Sequence, residues 1–218
     1  MVDAIFALTE PVVMVHLNLQ KPRAFGKKGH ESGTPKYSGN LLLKAASLDL
    51  ASMKKIAAEV ARAEWPGRPL AELKFPFSNG TKIADKRKAE CERLKIKPDG
   101  EFNRDMVVVA ARSKFQPGFS VFKDGRIIDL EDEATIAAHW GSFYNGVLVL
   151  AEVNFKAYPG VGANPDGVTC YLNKVMSTGK GTKIIMGGSS GSQTFSGYRG
   201  GYSAEDPGPS SADEMPGF

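Results

Sequence analysis

Val147-Leu148-Val149-Leu150-Ala151-Glu152-Val153-Asn154-Phe155-Lys156-Ala157-Tyr158 is the longest strand candidate in the chain, and its second half alternates cleanly. Side chains of a strand point to opposite faces with a period of two. Val153, Phe155 and Ala157 therefore look inward, while Asn154, Lys156 and Tyr158 look outward and offer a cation and a ring. A strand of this kind belongs to a sheet with one buried face and one working face.

Outward from this strand, further β patterns accumulate. Pro11 to Leu19 reads PVVMVHLNL, apolar and β-branched with His16 and Asn18 on one alternate set, and predicts a strand. Gln20 to Lys36 reads as a Gly/Pro-punctuated loop carrying Lys21, Arg23, Lys27, Lys28 and Lys36 against only Glu31, a loop suited to phosphate contact. Tyr37 to Leu43 returns as a second strand, with Tyr37, Gly39, Leu41 and Leu43 opposite Ser38, Asn40 and Leu42. Lys44 follows it. From Met106 the pattern is MVVVAARSKF, then FSVF and IIDL joined by Lys123-Asp124-Gly125-Arg126, where Asp-Gly between apolar runs predicts a tight hairpin turn. Gly167 to Met176 and Thr182 to Met186 are the last strand candidates.

Helices are fewer. Ser47 or Asp49 caps a segment in which Leu50, Met53, Ile56, Ala57, Val60 and Ala61 recur at the spacing of one buried face, until Trp65-Pro66-Gly67 stops it. Thr81 to Lys97 reads as an inserted surface helix with a thin stripe of Ile83, Ala84, Cys91 and Leu94, and Glu131 to His139 as a short one. Five or six strands around one good helix predict a mainly β domain: a small barrel carrying insertions, the largest at about 65–103. The sequence assigns that insertion no role.

Charge divides the chain. Of the 28 Lys+Arg and 24 Asp+Glu, all but one base and four acids lie before residue 187. The first 186 residues form the expected domain and are basic; 187–218 is a Gly/Ser-rich, acidic tail ending Asp213-Glu214-Met215-Pro216-Gly217-Phe218. Such a tail holds too few apolar groups to offset its ordering entropy and is expected to be disordered. A basic body with a flexible acidic tail points to a polyanion binder, with nucleic acid the leading candidate. Asp213 and Glu214 as steering charges and Phe218 as an apolar anchor are expected to dock a partner.

Signatures of catalysis are absent from the sequence. His16, His30 and His139 lack metal spacing, and Cys91 and Cys170 lie far apart, which fits reduced thiols in a cytoplasmic protein rather than a zinc site or disulfide framework. Ser177 to Lys183 lacks the order of a phosphate loop. Neither a cofactor nor a metal is expected. The first ten residues do not read as a signal peptide, and no apolar run reaches the ~18 residues of a membrane span. One enzymatic alternative stands: a metal-dependent nuclease using Glu152 and Lys156 on one strand face with Asp166 nearby, although Asp166 follows that strand instead of preceding it.

The positive signal is cations interleaved with rings. Backbone charge gives affinity for an unpaired strand, and exposed rings give sequence-tolerant stacking. Arg112 and Lys114 share a strand face with Phe115 just beyond; Lys156 with Tyr158, Lys36 with Tyr37, and Tyr171 with Lys174 repeat the arrangement.

Four fragments in order are Lys36-Tyr37-Ser38-Gly39-Asn40-Leu41-Leu42-Leu43-Lys44, Ala111 to Gly118, Tyr144-Asn145-Gly146 leading into Val153 to Tyr158, and Gly167 to Val175. Together they resemble the bacteriophage single-stranded DNA-binding proteins. The resemblance spans Pro11 to about Val175 and implies an OB fold, a five-stranded barrel. It implies a non-catalytic protein that coats unpaired DNA with little sequence preference during phage replication or recombination, in the cytoplasm of the infected host. The residues expected to contact DNA are Lys21, Arg23, Lys27, Lys28, Lys36, Tyr37, Lys44, Arg112, Lys114, Phe115, Asn154, Lys156, Tyr158, Tyr171 and Lys174. The resemblance further implies replication or recombination partners for the tail, while a homo-oligomer on DNA stays an open alternative that the sequence does not decide. A phage structural or RNA-binding protein using the same basic surface is the other alternative.

Overall fold

A computed structural model describes residues 4–27, 30–95, 100–161 and 165–185. The expected acidic tail, with Asp213, Glu214 and Phe218, lies outside the described residues, as does Lys28. In chain order the strands are β1 (Ala4–Ala7), β2 (Val12–Lys27), β3 (His30–Lys44), β4 (Phe77–Asn79), β5 (Met106–Ser113), β6 (Gly118–Lys123), β7 (Arg126–Leu130), β8 (Val147–Tyr158) and β9 (Gly167–Gly181). The α-helices are α1 (Leu48–Glu64), α2 (Gly80–Leu94) and α3 (Glu133–His139).

Five strands close on themselves in the order β2-β3-β5-β9-β8 and back to β2. Every pair in this ring is antiparallel except β5 with β9, which meet in parallel at Ala111 and Cys170. This is the five-stranded Greek-key barrel of the OB fold. The inward set of β8 is as the alternation predicts: Val153, Phe155 and Ala157 are buried against Val168, Cys170 and Leu172 of β9, with Leu41 and Leu43 of β3 and Val109 and Ala111 of β5. Burial in this apolar core pushes the Cys170 thiol far up, so it stays protonated.

The other strands extend the barrel. β1, which the sequence reading does not foresee, continues along the β8 edge where β2 leaves off, pairing Ala4–Ala7 with Phe155–Glu152. The hairpin of β6 and β7 adds to β9, and its turn is the Asp-Gly turn expected, with Asp124 at φ 52° and Gly125 at φ 76°. Positive φ at both central residues gives the twist a two-residue hairpin needs.

Four expectations are corrected. The basic segment Gln20–Lys36 is a two-stranded ribbon continuing β2 and β3, with Arg23 opposite Lys36 and Lys27 opposite His30. Register shifts on either side of Arg23 let the ribbon absorb Pro22, whose missing N–H an unbroken ladder could not tolerate. The expected strand at Thr182–Met186 is not formed among the described residues 182–185; instead β9 continues past Met176 to Gly181 along β8. α2 ends at Leu94, where Lys95 turns into the left-handed region at φ 55°. Finally, Ser47 caps α1 alone: the Leu50 N–H donates to Ser47 Oγ at 3.4 Å. Asp49 is buried, its carboxylate accepting from Thr9 N–H (2.9 Å), Thr9 Oγ (2.7 Å) and Glu10 N–H (3.2 Å). It ties the strand connection β1–β2 to the helix.

α1 buries Leu50, Met53, Ala57, Val60 and Ala61 in the main core. The insertion that follows it has a structural role. β4 pairs Phe77–Asn79 with Val109–Val107, filling the edge of β5 that β9 does not reach, and Phe77 packs against Phe155 at 6.1 Å between ring centroids. α2 and the turn at Glu101–Asn103 then cover one half of the barrel's outer surface. There Val15, Leu42 and Val108 form a second buried cluster with Ile83, Phe102 and Met106. A cluster of Phe119, Trp140 and Phe143, with centroids 5.3 to 5.7 Å apart, fixes α3 and the turn after it beneath β6.

Candidate nucleic-acid interface

The other half of the outer surface is open. Along β3 and β5, Ser38 stands opposite Arg112 and Asn40 opposite Ala110; along β8 and β9, Asn154 stands opposite Tyr171 and Lys156 opposite Thr169. Directly paired residues share a face, so these side chains lie on one outer face, in which Ser38 and Asn154 are covered while Arg112, Lys156 and Tyr171 reach the surface. It hollows into a cleft of about 440 Å³ where β5 and β9 diverge, lined by Lys36, Arg112, Tyr158, Thr169 and Tyr171 on one side. Lys74, Phe75, Pro76 and Ser78 of the insertion form the other side.

Four residues expected from sequence, Lys36, Arg112, Tyr158 and Tyr171, are thus brought together, and a fifth, Lys156, holds its Nζ 5.9 Å from the centre of the Tyr171 ring. That distance is at the outer limit of a cation–π contact and presents charge beside a stacking surface. Arg23 lies across from Lys36 on the ribbon. Like charges directly opposite repel, and an anion lying between them removes the penalty. Lys21 and Arg23 are exposed on the same ribbon; the side chain of Lys27 lies outside the described residues.

Other expected residues lie elsewhere. Lys114 and Phe115 leave the end of β5 beyond Ser113, which pairs with Tyr37, and Phe115 is 82% exposed. Tyr37 itself falls in the barrel-facing register of Gly39 and Leu41 and is half-buried. Asn154 occupies the outward register but is only 7% exposed, and its Oδ1 is buried without a hydrogen-bond partner. Lys44 ends β3 at the opposite end, eight residues from Lys36 and hence roughly 26 Å away. Lys174 follows an irregularity in the β8–β9 ladder and donates to Asp129 Oδ1 at 2.7 Å. That bond and the Ser120 hydroxyl hold the Asp129 carboxyl below its usual range.

Sequence reasoning passes over Lys74 and Phe75. They carry the same cation-beside-ring signal used elsewhere, in Lys74-Phe75-Pro76-Phe77, but in a segment without strand periodicity. The clefts's acid–base chemistry is spare. Burial and the charge of Asp166 raise the Tyr158 phenol, which stays neutral as a stacking ring should. Asp166 is held low by the Gly160 N–H and by Arg68, and Glu152 accepts from Asn173 Nδ2 at 3.2 Å. No group of three His, Cys, Asp or Glu side chains placed to hold a metal occurs among the described residues.

A five-stranded barrel of this order, with one open outer face that carries cations beside rings, defines a class, the OB-fold barrels. The family model described as Enterobacter phage Enc34, ssDNA-binding protein, matches residues 10–206, and the chain belongs to that family. Among solved structures, the C-terminally truncated single-stranded DNA-binding protein from bacteriophage Enc34 is similar at 20% identity, over 84% of this chain and 88% of that one, with a TM-score of 0.54. The same phage protein in complex with ssDNA is similar at 18% identity, over 85% and 89% of the two chains, with a TM-score of 0.53. At such identities the likeness is one of fold. A search of curated proteins found no match.

Proposed function

We propose that this protein binds single-stranded DNA without catalysis, in the cleft and along the basic ribbon beside it. The observation that carries the reading is the convergence of Lys36, Arg112, Tyr158 and Tyr171, from four different barrel strands, on one cleft with Lys156 at its edge. Cations release counterions from the backbone while rings stack bases, so the bound strand is withheld from re-pairing and from nucleases. Residues that a nuclease would use are engaged in structural contacts: Asp166 with Arg68 and Gly160, Glu152 with Asn173.

The wider role follows as part of the same proposal. Residues 1–186 form the binding domain, and 187–218 form a tail that recruits replication or recombination proteins through Asp213, Glu214 and Phe218 in the infected host's cytoplasm. Copies assemble along the coated strand. No helix among the described residues is long and apolar enough to cross a membrane. The test is a salt series with labelled single-stranded DNA, duplex DNA and RNA of matched length. The reading requires tighter binding to single-stranded DNA with a steep salt dependence; equal affinity for duplex at moderate salt, or preference for RNA, overturns it.

A further inference from the structure

The insertion's wall of the cleft is pinned by an ion pair that no DNA need touch. Arg68 Nη1 donates to Asp166 Oδ2, and Arg68 Nε to Glu72 Oε2 at 3.4 Å. Asp166 Oδ1 accepts the Gly160 N–H, which binds the acid to the start of the β8–β9 connection. On the backbone side, the Lys74 N–H donates to the Asp166 carbonyl at 2.9 Å and the Val168 N–H to the Lys74 carbonyl at 2.8 Å. Lys74 thereby forms a parallel bridge with Gly167. The packing is close: a Cβ on Gly167 would stand 2.3 Å from the Lys74 carbonyl oxygen and 2.9 Å from the Tyr158 hydroxyl. The wall, the first residue of β9 and a proposed stacking ring therefore fix one another's positions.

We infer that the Arg68–Asp166 pair is a positioning clasp for DNA binding, and that it sets Lys74 and Phe75 of the insertion as a working wall of the cleft. The inference rests on the cleft being the DNA site. Its sign separates it from simple electrostatics. Asp166 is an acid beside a cationic cleft, so if it were only a nearby charge, neutralising it would tighten binding of a polyanion. As a clasp it does the reverse, because a wall released from β9 no longer presents Lys74 and Phe75 in register with Tyr158.

The test uses the full chain and labelled oligo(dT). Asp166→Asn keeps an acceptor for Gly160 but loses the ion pair; it should weaken binding about three- to tenfold. Lys74→Ala should weaken binding similarly and lower the salt slope by about one. In the double variant the two losses should fall well short of adding, since the clasp acts through Lys74. Gly167→Ala, which forces the wall outward without changing charge, should also weaken binding while the protein still melts cooperatively. Arg68→Lys should retain most of the affinity. Tighter or unchanged binding in Asp166→Asn overturns the clasp, as does full additivity with Lys74→Ala. If Arg112→Ala and Lys156→Ala leave affinity unchanged as well, the cleft reading has failed; if they weaken it, only the clasp has.

Discussion

Strands β3 and β5 carry two outer surfaces of opposite character. Toward one end, Leu42 and Val108 stand opposite each other and disappear beneath α2 with Val15. Toward the other end, Arg112 is exposed and lines an open cleft with Lys36 and Ala110. The same two strands, a few residues apart, thus carry a covered apolar face and the rim of an open cleft. The difference lies in the insertion, whose helix covers the apolar half and whose Lys74–Ser78 segment borders the polar half. The segment of about 65–103 thus decides which part of the barrel's outer face is covered and which stays open.

The comparison can be broken most forcefully at its buried end. Leu42→Ala or Val108→Ala should destabilise the domain by about 2–4 kcal/mol in denaturant titration, while the molecules that remain folded keep their DNA affinity. If DNA binding fails with stability intact, the covered half is not merely core.

At the open end the effects should reverse. Tyr171→Ala or Tyr158→Ala should weaken oligo(dT) binding by roughly 1–3 kcal/mol with little change in salt slope, because a ring stacks and carries no charge. Lys156→Ala should weaken binding by less and flatten the slope, seen in the same titrations. Equal slopes for ring and lysine variants would remove the division of labour between them.

The smallest effect concerns pH. Asp166 is held below its usual range by the Gly160 N–H and Arg68. A lowered folded pKa means its contribution to stability is present above the unfolded value of about 4 and is lost as pH falls through the folded one. Thermal melts should show a slight loss below about pH 4 that Asp166→Asn lacks.

How much of this was legible follows from what each pattern encodes. Alternation in Val153 to Tyr158 gives the inner face directly, because pleat geometry alone determines it. The covered outer half leaves a subtler trace: Leu41-Leu42-Leu43 and Val107-Val108-Val109 are continuous apolar runs, as strands buried on both faces are. What buries them comes from a distant helix, which no local period reports. The ribbon was hidden for a related reason, since Pro22, Gly26 and Pro35 read as loop residues until bulges accommodate them. Asp49 looked like a cap because its tertiary partners, Thr9 and Glu10, lie some forty residues away.

Whether the open half of the barrel is the DNA surface is decided by a pair of multiple variants. A triple variant, Lys36→Ala, Arg112→Ala and Lys156→Ala, should lose affinity for single-stranded DNA steeply, with a log–log salt slope shallower by about two. A control, Lys44→Ala with Lys174→Ala, removes two cations outside the cleft and should leave affinity and slope close to those of the unaltered protein. A control that loses as much as the triple variant, or a triple variant that binds normally, would contradict the account.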